Sequence, residues 1–108
     1  MKKTKVFVRR NTETPQFDVV LGYQVDYDAG LVVCKAPQDI YWIIIDKSTG
    51  CLVARSGHLF GKTEKALLEN FQKSDRFEKL QQVRSLKTYQ KRVSELNEWI
   101  QSQYKSEM

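Results

Sequence analysis

The chain has few of the residues that usually announce catalysis or metal binding. Only two of its 108 residues are cysteine, Cys34 and Cys51, and only one, His58, is histidine. Two thiols are too few for a disulfide scaffold, and their spacing is not that of a zinc set, which takes about four donors. Both are expected to be small buried hydrophobes within strands, in a reducing, cytoplasmic setting, with a cross-strand pair as the alternative. No metal and no cofactor is expected. The longest apolar run, Ile40 to Ile45, is six residues, against the roughly 20 that cross a bilayer, so no membrane partner is expected. Lys2 and Lys3 are followed by alternation rather than an apolar signal core, so the N-terminus reads as mature protein. Proline stops at Pro37, and nothing after it interrupts a helix.

What is present suits a single α+β domain over residues 1–108. Hydrophobic residues make up 41% of the chain, enough for one core, and charged residues 29%, a solvated surface rather than a disordered polyelectrolyte. Eighteen Lys and Arg against thirteen Asp and Glu give a formal charge of +5. That excess favours an anionic partner without specifying a fold.

Residues 4–56 carry the β signal. Phe17, Val19, Leu21, Tyr23, Val25 and Tyr27 alternate with mostly polar neighbours, which predicts a strand with those six on its buried face. Asp28, Ala29 and Gly30 are expected to turn the chain, with Gly30 at positive φ, before Leu31 to Cys34 returns. Tyr41 to Ile45 is apolar on both faces, which predicts a central strand. The loop Asp46 to Gly50 leads to its partner, Cys51 to Arg55. Lys5 to Arg9 is expected to add a strand, with Asn11 to Gln16 as a loop. The expectation is a four- or five-stranded antiparallel sheet, arranged as a simple meander.

Residues 63–104 change to helical spacing and predict two or three helices. Ala66, Leu67, Leu68 and Phe71 mark one that ends near Lys73. Asp75 and Glu78 resemble a capping box opening another. Leu86, Tyr89, Val93, Leu96, Ile100 and Tyr104 form one apolar stripe, whereas Phe77 and Leu80 would lie opposite it on a continuous helix. Either the helix breaks near Arg84–Ser85, with Ser85 as a cap, or the sheet takes one face and a partner subunit the other. The stripe is expected to pack on the chain's own sheet, with a dimer contact as the alternative.

No constellation supports an enzyme. Only His58, Leu59 and Phe60 separate Gly57 from Gly61-Lys62-Thr63, one residue short of a phosphate loop, so the two glycines are expected to shape a connection. His58 has no partner in the sequence, and Asp26 and Asp28 suit a hairpin end. The order of strands and helices differs from a double-stranded-RNA-binding domain, and an RNA-recognition sheet's aromatic motifs are missing.

The reading is therefore a non-catalytic binding or structural protein acting through protein–protein contacts, by self-association as a homodimer or with another chain. Trp42, Phe77, Leu80, Trp99 and Ile100 are its candidate interface residues. The alternative is a basic nucleic-acid-binding accessory or regulatory protein. It rests on the run between Lys73 and Arg92, where seven cations face two acids. Lys73, Arg76, Arg84, Lys87 and Lys91 are its candidate phosphate contacts, and Lys2, Lys3, Lys5, Arg9 and Arg10 could extend them.

Overall fold

Runs of β-branched and aromatic residues separated by polar turns give way, after two glycines, to stretches of helical period, and the chain folds accordingly. A computed structural model describes residues 2–10, 16–37 and 40–107, the last four as backbone only. The elements are β1 (Lys3–Arg9), β2 (Phe17–Val25), β3 (Asp28–Lys35), β4 (Trp42–Asp46) and β5 (Leu52–Arg55), then α1 (Glu64–Gln72), α2 (Asp75–Val83) and α3 (Lys87–Glu107). The strands form one antiparallel sheet in the order β1-β2-β3-β4-β5, the expected meander. The expected loop at residues 11–15 and the Tyr104 side chain lie outside the described residues. No helix among the described residues is long and apolar enough to cross a membrane.

The sheet has two buried faces, which is why β4 is apolar on both sides. On the outer face, Val33, Ile44 and Ala54 pack against Leu67 and Phe71 of α1 and Leu80 of α2. Leu67 and Phe71 are fully buried, and each such side chain contributes about 1.5–3 kcal/mol by leaving water. On the inner face, Val6 and Val8 of β1 join Val32, Cys34, Ile43 and Ile45 in a second cluster. Since β2 and β3 separate β1 from β4 in the ladder, the sheet must roll over itself to bring these residues together. The Arg9 N–H donates to the Gly50 carbonyl at 2.8 Å across the resulting seam. Two glycines permit the roll. A Cβ on Gly22 would lie 2.6 Å from the Val33 carbonyl oxygen, and Gly50 holds φ 75° with the Phe7 carbonyl oxygen 2.7 Å from where a Cβ would sit.

Rolling overturns the expected burial of β2. Phe17 and Val25 are buried, but Val19, Leu21 and Tyr23 are 56%, 61% and 40% exposed. They lie on the outer face, where α1 and α2 cover the later strands and Trp99 of α3 packs on Phe7 and Phe17. The turn also differs. Asp26 and Tyr27 form it, β3 begins at Asp28 opposite Val25, and Gly30 sits inside β3 without positive φ. The cause is local: the Asp28 carboxylate accepts the Gly30 N–H at 2.9 Å, and the ladder shifts register between Gln24 and Val25.

The helical half breaks where its two apolar faces conflict. α2 ends at Val83 and α3 starts at Lys87, so Phe77 and Leu80 join the core beneath α1 and α2 while Leu96 is buried separately on α3. Both expected caps are corrected. Ser74, not Asp75, occupies the N-cap position of α2 and makes no side-chain cap. Its hydroxyl instead donates to the Phe71 carbonyl at 2.7 Å, closing α1. Asp75 and Glu78 then lie in the first turn of α2, where their charges oppose the helix dipole. Ser85 likewise donates back to the Gln82 carbonyl at 2.8 Å, so it finishes α2 rather than starting α3. Leu86 leaves the expected stripe and is 51% exposed.

Candidate docking cleft along the edge strand

Two polar clusters fix the helices to the sheet, and they explain where several charged residues go. At the β2–β3 turn, Arg84 grips Asp28 with both guanidinium nitrogens, Nη1 to Oδ2 at 2.9 Å and Nη2 to Oδ1 at 3.2 Å. Gln81 also donates to Asp28, at 3.2 Å. Burial alone would push the Asp28 carboxyl up, but the hydrogen bonds from Arg84, Gly30 and Gln81 and the Arg84 charge outweigh it and hold it below its ordinary value. Arg84 also lies 3.9 Å from Asp46. Asp46 is buried at the end of β4 and accepts from Tyr89 at 3.2 Å and Thr49 at 2.8 Å. These are two-pronged and charge-assisted contacts, strong because the donors are fixed.

The second cluster sits under α3. The Arg9 side chain, 5% exposed, approaches Glu95 at 3.5 Å and stacks over Phe17 at 4.9 Å. It donates to the Thr49 and Arg92 carbonyls at 3.3 and 3.4 Å. Trp99 packs on Phe7 and Phe17 at centroid distances of 5.7 and 5.2 Å. α3 is thus held over the seam of the rolled sheet.

The cleft follows β5, which among the described residues pairs only with β4. Ser56 donates its N–H to the Trp42 carbonyl at 2.8 Å. The alternation of an antiparallel ladder then turns the peptide groups of Arg55 toward the open side. Leu52, on the same strand, is 56% exposed. Two hollows meet here and share Leu52, Val53 and Arg76. One, of about 790 Å³, extends to Tyr41, His58 and Lys62 and has no acid in its wall among the described residues. The other, of about 420 Å³, lies between β5, α2 and the start of α3 and is walled by Lys79, Leu80, Tyr89 and Arg92.

The electrostatics of this edge are one-sided. Arg55, Lys62, Arg76, Lys79 and Arg92 line it, and among the described residues none of them forms an ion pair. The acid in the wall, Asp46, is already held by Tyr89 and Thr49. Arg55 lies over the Tyr41 ring at 5.1 Å, Arg76 over Phe60 at 5.6 Å, and Arg92 donates to the Cys51 sulfur at 3.4 Å. A further hollow of about 900 Å³ beside Trp42 and α1 mixes Glu64 and Glu69 with Lys62 and Lys65, and has no such bias.

The structure redistributes the residues singled out in the sequence. Of the candidate phosphate contacts, Arg84 is turned to Asp28, Arg76 lies in the cleft, and Lys73, Lys87 and Lys91 are exposed on the helices. Of the candidate interface residues, Trp42, Phe77 and Leu80 belong to the core under α1 and α2, Trp99 to the α3 seam, and Ile100 is half-buried. Trp42 also carries the Lys35 ammonium 4.7 Å above its ring. Gly57 and Gly61 exchange backbone hydrogen bonds at 2.8 Å and shape the connection to α1, where the Thr63 hydroxyl accepts the Ala66 N–H. Cys34 is buried, its thiol pushed up to about 11 by that burial, while Cys51 is half-buried just ahead of β5; both are free thiols. Among the described residues no group of His, Cys, Asp and Glu could hold a metal ion. Leu52 and Arg55 were not among the sequence candidates, because only strand pairing makes β5 an edge. No protein-family model, curated protein or solved structure matches this chain.

Proposed function

We propose that this domain is a non-catalytic binding module that works through contact with another protein, and that the contact lies along β5. The observation that carries this reading is an open strand edge with an exposed leucine, Leu52, set between two hollows whose walls hold cations that form no ion pair among the described residues. An apolar centre ringed by charge is how protein contacts are commonly arranged. The basic row supports a nucleic-acid contact less well, since Arg84 points into the sheet rather than outward with Lys87 and Lys91.

Photo-crosslinking tests this directly. A photoreactive residue replaces Leu52 in the full chain within the cells that express it, with matched replacements at Lys87 and Asn97 on α3. The expected result is a discrete protein adduct at position 52 that is absent at the other two. Adducts confined to nucleic acid, or equal labelling at all three positions, would overturn the proposal.

A further inference from the structure

We infer that the partner offers β5 an acidic segment in extended conformation, which joins the sheet as an added strand and sets its carboxylates against Arg76 and Lys79. This rests on the reading of β5 as the contact surface and names what that surface takes. The main-chain half of the match comes from the sheet. β5 is the unpaired end of the ladder, and the Arg55 peptide groups face outward, which is the geometry used when a peptide extends a sheet edge. The side-chain half comes from the walls. Successive side chains of an added strand point alternately to the two sides. One set would then meet Leu52 and Arg55, on the face of Ile43 and Ile45, and the other Val53 with the α2 cations Arg76 and Lys79.

Charge decides between occupants. A second copy pairing through the same edge would bring Arg55, Arg76 and Lys79 against themselves, with no acid among the described residues of the cleft free to offset them. The short, bulged and cationic β5 thus guards against self-pairing, while the same cations attract an acidic strand. Single-stranded nucleic acid also carries negative charge, but it gains much of its affinity by stacking bases on open aromatic faces. Here Tyr41 and Phe60 already carry guanidinium groups, and Phe60 is buried. The edge fits a carboxylate-bearing polypeptide better than a stacked base.

The test titrates the isotope-labelled full chain with a short peptide of alternating valine and glutamate, followed by NMR at millimolar peptide. The expected result is shifts centred on residues 52–55 and slower exchange of the Arg55 N–H. Arg76→Glu and Lys79→Glu should each weaken binding roughly fivefold to tenfold, with unchanged spectra elsewhere showing that the fold persists. N-methylation of the peptide on its pairing edge should abolish binding, since it removes the ladder donors. Absent binding, shifts centred elsewhere, undiminished binding by the N-methylated peptide, or tighter binding of a lysine-for-glutamate peptide or an oligothymidylate would each overturn the inference. If the peptide fails while the Leu52 protein adduct persists, strand addition falls and the contact surface stands. Loss of both removes the surface reading as well.

Discussion

Asp28 shows how a single carboxylate ties two halves of the chain together. It sits in the first position of β3, yet its partners Gln81 and Arg84 come from α2 and its end. Arg84→Met would leave a half-buried carboxylate without its cation, at a cost of about 1–3 kcal/mol measurable by urea denaturation. The pH dependence follows from the depressed native value of Asp28. Above about pH 5 the group is ionised in both native and unfolded chains, and its contribution is complete. As pH falls further, the unfolded chain takes up the proton first, so stability declines through the native value. Asp28→Asn should therefore lower stability at about pH 6 but show a smaller loss between about pH 6 and about pH 3 than the parent chain. An unchanged slope would mean that the pair does not report on folding. Cys34 gives a second residue-level expectation. With its thiol buried and shifted up to about 11, a thiol reagent near neutral pH should modify Cys51 in the native protein and reach Cys34 only on unfolding. Mass spectrometry of the labelled peptides checks this.

Among the elements, α3 depends most on what it touches. Its contacts with the sheet are a few specific ones, from Tyr89 to Asp46, Glu95 and the Arg92 carbonyl to Arg9, and Trp99 to Phe7 and Phe17. Trp99→Ala should cost about 2–4 kcal/mol, and amide exchange should accelerate in α3 well before it does in β3 and β4. Uniform acceleration would show instead that α3 unfolds only with the whole domain. The turn from β4 to β5 is equally specific. At Gly50 a side chain would meet both a positive φ and the Phe7 carbonyl oxygen. Gly50→Ala should destabilise by about 1–3 kcal/mol, read as a lower denaturation midpoint.

For the whole molecule, the roll of the sheet sets what is covered and what is open. It closes the inner face on β1 and leaves β5 as an uncovered edge beside α2. Stability and binding should separate at that edge. Leu52 is exposed, so Leu52→Asp should change folding stability by no more than about 0.5 kcal/mol, while binding of an acidic strand at β5 is lost through charge repulsion and the missing apolar contact. Parallel loss of stability and binding would place Leu52 in the core instead.

The alternation of apolar residues, the polar turns and the change of period after Gly61 were sufficient by themselves to determine an antiparallel β region followed by helices. Local backbone geometry dictates those patterns, and each is complete within a few residues. The break at Arg84–Leu86 was also legible, because Phe77 and Leu80 conflict with the stripe of α3 on any single straight helix. Tertiary structure alone decided which apolar residues are covered. Val19, Leu21 and Tyr23 carry the same alternation as Phe17 and Val25, yet they stay exposed, outside both buried clusters of the sheet. It also decided the fate of the charges, drawing Arg84 and Arg9 into polar clusters and leaving Arg55, Arg76 and Lys79 beside an open strand. The physical reason is common to both: period reports which face a side chain takes on its own element, whereas burial and pairing depend on what another element places against that face.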